Sequence, residues 1–150
     1  MSLLRRACLL AVCVFAAACG DNQDPAGADA FWTSIHEAGY RSWPRAPGYE
    51  TRQPTNAPHG DSVDIYVNDV VAAALEAGPI TAWPEGSRIV KDAFDGDEVT
   101  AVAAMEKRAT GWYWAEWSAA GAAKYSGSPG LCTGCHESGG DFVRAFPLPR

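Results

Sequence analysis

The 150-residue sequence has few of the side chains that bind transition metals: three histidines, two methionines and five cysteines. It contains no internal repeat, and its longest apolar run is shorter than the roughly 20 residues that cross a bilayer. Basic residues are in the minority, because 12 Lys and Arg against 18 Asp and Glu give a net charge of -6. This charge argues against nucleic acid or an anionic lipid surface as an electrostatic partner.

The start of the chain has the order of a secretory signal. Arg5 and Arg6 stand near the N-terminus, residues 9–18 are apolar apart from one cysteine, and three alanines precede Cys19. This order predicts a signal peptide over residues 1–18 that is removed on export across the inner membrane. Loss of the two arginines takes the net charge to about -8. The mature protein is therefore predicted to be periplasmic.

The segment "FAAAC", which ends at Cys19, resembles a bacterial lipobox, whose cysteine becomes the lipidated first residue. The first lipobox position is usually leucine and here is Ala16, so simple cleavage before a free Cys19 is the alternative. A lipid would anchor the protein to a membrane without a transmembrane helix. Residues 19–29 are predicted to form a flexible tether. Residues 30–150 suit one compact domain.

The motif "CTGCH" combines Cys132, Cys135 and His136. Three cysteines remain after signal removal, which is the wrong number for a disulfide scaffold. In a C-x-x-C-H motif the two thiols bind the two vinyl groups of a haem, and the histidine ligates the iron. A zinc site would need a fourth ligand, and a dithiol redox site would need a thioredoxin-like context. The motif therefore predicts one covalently attached haem c, with His136 as the proximal ligand.

The position opposite the proximal histidine decides what a single haem does. Few side chains of the mature sequence can bind the iron at this sixth coordination position, and a position left open for a ligand is a further alternative. The candidates are His36, His59, Lys91 and Met105.

Apolar periodicity and turn signals predict an α+β fold, in which packed helices cover an antiparallel β-sheet and a haem-binding loop comes last. Trp112 and Trp114 are predicted to face one side of the sheet, and Tyr113 and Trp117 the other. Residues 99–108 are ambiguous, since alanines favour a helix while the position after a hairpin signal favours a strand. The predicted elements are helices over 28–39 and 69–78, and strands over 61–68, 88–94 and 111–117.

The order of these elements is similar to a known family. The blocks "RSWPRAP", "HGDSVDIYVN", "WPEGSRIVKD", "MEK", "GWYWAEW" and the late "CTGCH" followed by "DFV" together resemble the cytochrome P-460 and cytochrome c-prime-beta family. The resemblance spans Tyr40 to Phe146. It implies an antiparallel sheet with packed helices that is often a homodimer, and it favours a strand over 99–108.

The resemblance also implies roles for individual residues. Cys132 and Cys135 match the thioether positions, and His136 matches the proximal ligand. Lys91 matches the lysine that the cytochrome P-460 branch crosslinks to the haem macrocycle, and that branch oxidises hydroxylamine and nitric oxide. The c-prime-beta branch lacks the crosslink and binds nitric oxide or passes electrons. A solvated lysine at a strand end is the alternative for Lys91.

His59 departs from the resemblance. It falls close to the place where five-coordinate relatives have an apolar, often aromatic, distal cap, and a histidine there would fill the sixth coordination position. The alternative is an exposed loop histidine between Pro58 and Gly60.

Three functions stay open at this point, and whether the chain is an enzyme stays open with them. If His59 binds the iron opposite His136, the protein is an electron-transfer cytochrome with a redox partner protein. If the distal site is open and Lys91 is crosslinked, it is an oxidoreductase acting on small nitrogen compounds. If the site is merely open, it binds or senses nitric oxide. Three carboxylates are available as proton acceptors for an enzyme, and none is assigned: Asp61, Asp64 and Glu116.

Overall fold

The structure, a computed structural model, describes residues 21–56 and 58–150. The predicted signal peptide, residues 1–18, and the predicted lipid site at Cys19 lie outside the described residues. Within those two ranges, no helix combines the length and the apolar character needed to cross a membrane.

A six-stranded sheet forms the centre of the fold, and its strands follow the chain in the order β1 to β6, each antiparallel to the next. The predicted α+β fold with an antiparallel sheet is therefore confirmed. The elements are α1 (Pro25–Glu37), a 3-10 turn (Tyr40–Ser42), β1 (Gln53–Pro54), β2 (Ser62–Val67), α2 (Asp69–Ala77), β3 (Arg88–Asp95), β4 (Glu98–Arg108), β5 (Gly111–Ser118), β6 (Ala123–Gly127) and α3 (Gly130–His136).

The segment predicted as a flexible tether, 19–29, is packed against the sheet from residue 21 onward, which corrects that prediction for its described part. Asn22 forms a parallel bridge with Ser126 of β6, and the Ser126 hydroxyl accepts the Asp24 N–H at 2.7 Å. The Asp24 carboxylate accepts the Gly27 N–H at 3.0 Å and so caps α1. The helix consequently begins at Pro25, before its predicted start.

Residues 99–108 lie in β4, which confirms the strand favoured by the resemblance. β4 is central in the sheet and pairs with β3 on one side and β5 on the other. Ala101, Val102, Ala104 and Met105 are buried in it. Because both edges of this strand are paired and both faces are covered, tertiary context outweighs the helix propensity of its alanines.

One face of the sheet is closed by α1. The Phe31 ring packs edge-on against Tyr113 and Trp117, with centroids 5.9 Å from each. On this face the carboxylate of Asp92 is buried, and the Tyr40 hydroxyl donates to it at 2.6 Å. Burial and this hydrogen bond raise the pKa of Tyr40 far above its usual range.

The other face carries Trp112 and Trp114 together with the inward residues of β2. The predicted division of the β5 aromatics between the two faces is therefore confirmed. This second face is covered by α2 and by the chain after α3, from which Val143 and Phe146 are buried in the same cluster.

Asn68 joins α2 to β3. Its side-chain oxygen accepts the Val71 N–H at 3.3 Å and the Arg88 N–H at 3.0 Å, while its amide donates to the Gly86 carbonyl at 2.9 Å. Asn68 therefore caps α2 and also fixes the position of this helix relative to β3. Gly78 ends the helix with a φ of 101°, a backbone conformation that glycine adopts readily, and this agrees with the predicted end of the helix at residue 78.

The C-terminal segment predicted as a haem-binding loop contains the short helix α3, which carries the whole C-x-x-C-H motif. None of the seven residues of this helix is buried. After His136 the chain has no further helix or strand up to Arg150. The motif is thus presented at the edge of the domain, on the second face of the sheet.

Candidate functional site

A row of side chains crosses the second face of the sheet. Strand register places Ile65 beside Lys91, Lys91 beside Ala103, Ala103 beside Glu116 and Glu116 beside Tyr125. Residues directly opposite in an antiparallel pair point to the same face. The methyl group of Ala103 is the small member of the row, so it leaves space between the ammonium and the carboxylate on either side.

A cleft of about 390 Å³ lies over this row. The sheet, α3, the chain after α3 and the loop before β2 all contribute to its lining. Apolar side chains form much of the lining: Val63, Ile65, Ile89, Met105, Trp114, Leu131 and Val143. Five of the residues that the sequence predicted for the site line this one cleft: His59, Lys91, Cys132, Cys135 and His136.

Cys132 and Cys135 are both free thiols. Three residues apart on α3, they lie on the same side of the helix. Burial raises the pKa of Cys132 to about 11, with the Glu116 carboxylate adding to the effect. Cys135 is exposed, and the Arg144 guanidinium approaches its sulfur at 3.0 Å. The two thiols thus differ in their access to solvent although they belong to one motif.

The His136 imidazole is held by a main-chain oxygen. Its Nδ1 lies 3.0 Å from the Phe142 carbonyl, so Nδ1 carries the proton and donates it. The Trp114 ring packs edge-on against the imidazole at 4.6 Å between centroids. Burial lowers the pKa of His136, which favours the neutral ring that metals bind. Nε2 is left as the free lone-pair donor.

Lys91 is half-buried on the cleft face of β3. Burial lowers the pKa of its ammonium, and the attraction of Glu116 opposes this without cancelling it. In the part of the chain that the structure describes, its side-chain nitrogen has no hydrogen-bond or ion-pair partner. A half-buried amine with a lowered pKa is a better nucleophile than a solvated lysine.

His59 reaches over the sheet from the loop before β2. Its Nδ1 lies 3.1 Å from Oε2 of Glu116, which is ion-pair distance, although the direction is not that of a good hydrogen bond. Both side chains are largely shielded from solvent. The predicted alternative of an exposed loop histidine is therefore wrong. Nε2 of His59 is not used in this contact.

The remaining candidates separate into those near the cleft and those far from it. Met105 lines the cleft as a buried core residue. His36 packs against Trp32 and Tyr40 on the opposite side of the sheet and cannot reach the cleft. Asp64 faces away from the cleft, in an ion pair with Arg45 at 2.7 Å.

Of the three carboxylates left open as proton acceptors, Glu116 alone lines the cleft. Asp64 lies on the opposite face of the sheet, and Asp61 is exposed in the loop just before β2. Strand register explains why Glu116 faces the cleft. Glu116 lies opposite Ala103 on the neighbouring strand β4, and Ala103 in turn lies opposite Lys91 on β3.

The family model for cytochrome P460 matches residues 37–143 of the chain. The chain belongs to the cytochrome P460 family. No curated protein matches the sequence as a relative. The family match covers every strand and α2, and it runs through the C-x-x-C-H motif to the residues that hold His136.

Membership of the cytochrome P460 family implies a haem. The residues of the cleft fit this group, because two free thiols and an imidazole with a free Nε2 meet beside an apolar surface. When bound there, a haem would supply an iron that exchanges electrons and binds small ligands.

Two parts of the site had no counterpart in the sequence reasoning: the Phe142 carbonyl that receives the His136 proton, and Arg144 beside Cys135. A main-chain acceptor leaves no side-chain signal, whereas the arginine eight positions after the motif could have been considered as a charge close to it.

Proposed function

We propose that this cytochrome P460 family member is an extracytoplasmic, single-haem c-type cytochrome that oxidises small nitrogen compounds such as hydroxylamine or nitric oxide. The proposal is carried by one observation: Lys91, Glu116 and His59 converge in the same cleft as the C-x-x-C-H motif. Electrons removed from the substrate leave through the haem to a redox partner protein.

Cys132 and Cys135 would hold the haem by thioether bonds, and His136 would bind its iron through Nε2. The half-buried α3 face brings both sulfurs to the cleft. The hydrogen bond from Nδ1 to the Phe142 carbonyl keeps the ring in the tautomer that presents Nε2.

Lys91 is the residue that would distinguish an oxidase from a carrier. Its amine projects into the cleft without a partner in the described part of the chain, and burial favours its neutral form. A neutral amine has the free lone pair that the crosslink to the macrocycle, implied by the resemblance to the cytochrome P-460 branch, would need. A solvated lysine would remain protonated and unreactive.

Glu116 and His59 would accept the protons that leave an N–H or O–H group during oxidation. Each two-electron oxidation of such a substrate releases protons that need an acceptor inside the cleft. Glu116 is within contact distance of His59 Nδ1, so a proton taken by either group can be shared between them and passed outward.

Export supports a covalent cofactor. Removal of the predicted signal peptide, 1–18, would deliver the mature protein to the periplasm, and lipidation of Cys19 would attach it to the membrane. A thioether-bound haem is retained outside the cytoplasm, where a dissociated haem would be lost.

The test is to mature the protein with cytochrome maturation machinery, record ferric and ferrous spectra, and measure the mass of the digested haem peptide. We expect a red-shifted ferrous Soret band and a mass link through Lys91. Turnover of hydroxylamine with an artificial one-electron acceptor should accompany them. A Lys91→Arg variant, which keeps the charge and removes the reactive amine, should lose the link and the red shift while keeping the thioether-bound haem.

A second function, electron transfer without catalysis, is favoured by His59. Its Nδ1 lies 3.1 Å from Glu116 while Nε2 is unused, and metal-binding histidines commonly have a carboxylate beside the ring nitrogen that does not bind the metal. A low-spin ferric spectrum that disappears in His59→Ala, together with no mass link at Lys91, would establish the carrier and overturn the oxidase. Carbon monoxide binding with neither signature would instead indicate nitric oxide binding or sensing.

A further inference from the structure

The position of His136 is not explained by its own helix. α3 has seven residues and buries none of them, so its packing fixes the imidazole weakly. The ring makes one hydrogen bond, from Nδ1 to the Phe142 carbonyl at 3.0 Å. Whatever holds that carbonyl in place therefore also holds the proposed iron ligand.

The carbonyl belongs to an unusual piece of backbone. Asp141 and Phe142 both have positive φ values, 47° and 65°, in the left-handed region that side chains other than glycine rarely adopt. The turn is closed by hydrogen bonds from Phe142 N–H to the Gly139 carbonyl and from Val143 N–H to the Gly140 carbonyl. Such a conformation persists only where surrounding contacts enforce it.

Asp141 supplies those contacts. Its two carboxylate oxygens accept hydrogen bonds from the Lys107 ammonium at 2.8 and 2.9 Å. One of these oxygens also accepts a hydrogen bond from the main-chain N–H of Trp83 at 2.8 Å. The Asp141 and Lys107 side chains are only 13% and 19% exposed, so solvent weakens this ion pair less than one at the surface.

Both partners are themselves well anchored. The Lys107 backbone at the end of β4 exchanges hydrogen bonds with Gly86 and Ser87, each at 2.8 Å. The Trp83 ring is buried and packs edge-on against Phe146, 5.5 Å between centroids. The turn after α3 is thereby tied to the sheet and to the core through a single carboxylate.

We infer that Asp141 and Lys107 are a positioning pair, which holds the Phe142 carbonyl against His136 and so sets the orientation and the basicity of the proximal imidazole. This inference rests on the haem attachment proposed above, and it does not depend on catalysis. A firm hydrogen bond at Nδ1 makes Nε2 a stronger donor to iron and stabilises the ferric state. Loosening the pair should therefore raise the midpoint potential.

The experiment uses the matured, haem-bearing protein and measures the midpoint potential of three variants. Asp141→Asn removes the negative charge and keeps the size of the side chain. Lys107→Met removes the positive charge and leaves Asp141 in place. Lys107→Arg keeps the ion pair and should restore the wild-type value. A charge effect alone would shift the midpoint potentials of Asp141→Asn and Lys107→Met in opposite directions. Loss of positioning would instead raise the midpoint potential of both variants.

A second readout is the iron–imidazole stretching band of the ferrous protein in resonance Raman spectra. It should move to lower frequency in Asp141→Asn and Lys107→Met, because the ligand becomes less basic. If His59 occupies the sixth position, the same spectra are taken in a His59→Ala background, which opens that position.

Glu106→Gln is the matched control. Glu106 neighbours Lys107 on β4, is also 13% exposed, and pairs with Arg88 and Arg108 at 2.7 Å each, but it faces the α1 side. Its loss should change stability without moving the potential or the Raman band.

A lowered potential in Lys107→Met, or unchanged potentials and bands in both variants, would overturn the inference and leave the proposed function intact. A protein that takes up no haem under these conditions would overturn both.

Discussion

His59 and Glu116 meet over the sheet, with Nδ1 of the imidazole 3.1 Å from Oε2 of the carboxylate. The contact joins the loop before β2 to β5, on which Glu116 lies in register with Ala103. Both residues line the same cleft as Lys91, where the proposed function needs acceptors for the protons of a substrate.

Glu116→Gln should lower the turnover of hydroxylamine by about 100-fold, because a positioned proton acceptor contributes on the order of 10² or more to rate. The amide keeps the size of the side chain, so the haem content and the ferric spectrum should stay unchanged. Steady-state assays with an artificial electron acceptor measure this. Asp61→Asn, which removes an exposed carboxylate outside the cleft, is the control and should retain full turnover. Equal rates in both variants would remove Glu116 from the mechanism.

His59→Ala should lower turnover by about tenfold and leave the ferric iron high-spin, since the proposal gives His59 a share in proton transfer and no bond to iron. The optical spectrum and electron paramagnetic resonance check the spin state. His36→Ala is the matched control, because His36 lies on the opposite side of the sheet. A wild-type spectrum that is low-spin and becomes high-spin only in His59→Ala would contradict this prediction.

Asn68→Ala should reduce the free energy of unfolding by about 2 kcal/mol, the upper range for loss of a helix cap, since the same side chain also bridges to β3. Urea denaturation followed by tryptophan fluorescence measures the change. Glu76→Ala, at an exposed position of the same helix, should stay within about 0.5 kcal/mol of the wild type. A loss no larger in Asn68→Ala than in Glu76→Ala would show that the cap is unimportant.

Much of the fold was predictable because its signals are local. The alternation of Val63, Ile65 and Val67 indicates the inward face of β2, and Asn68 and Gly78 are residue types that favour the two ends of a helix. The strand over 99–108 needed the family resemblance, since its alanines alone favour a helix and only pairing on both edges explains the outcome.

The candidate site was predictable in its residues and less so in its contacts. Cys132, Cys135 and His136 follow from spacing alone. The pairing of His59 with Glu116 depends on how a loop folds back over the sheet, and no local pattern encodes it. The turn at Asp141 and Phe142 was equally hidden, because left-handed backbone at residues other than glycine is enforced by distant partners.

The two cysteines should react at very different rates with iodoacetamide in protein produced without haem. Burial raises the pKa of Cys132 to about 11, so on the order of 0.1% of it is thiolate at pH 8, and its side chain is only partly accessible to solvent. Cys135 is exposed and has the Arg144 guanidinium at 3.0 Å from its sulfur. Peptide mass spectrometry over time should show Cys135 alkylated at least tenfold faster. In 6 M urea the two rates should converge, and equal rates in the folded protein would contradict the described α3 environment.

Lys91→Met should stabilise the haem-free protein at neutral pH, and the gain should shrink as the pH rises toward 10.5. Burial lowers the pKa of Lys91 in the folded chain below its ordinary value of 10.5, so between these two values the unfolded chain binds more protons than the native one. The free energy of unfolding of the wild type therefore rises with pH in that window. Below the window the native state carries the full cost of a buried cation, which methionine does not have.

Urea denaturation at a series of pH values measures the difference in the free energy of unfolding between Lys91→Met and the wild type. Cys132 and the tyrosines are present in both proteins, so their titration cancels in this difference. Lys124→Met is the control, because Lys124 is exposed on β6 and its removal should leave the difference flat with pH. A flat difference for Lys91→Met as well would mean that the amine is solvated in the folded chain. An amine in that state would be no more nucleophilic than an ordinary surface lysine, which would remove the support for a bond between Lys91 and the haem.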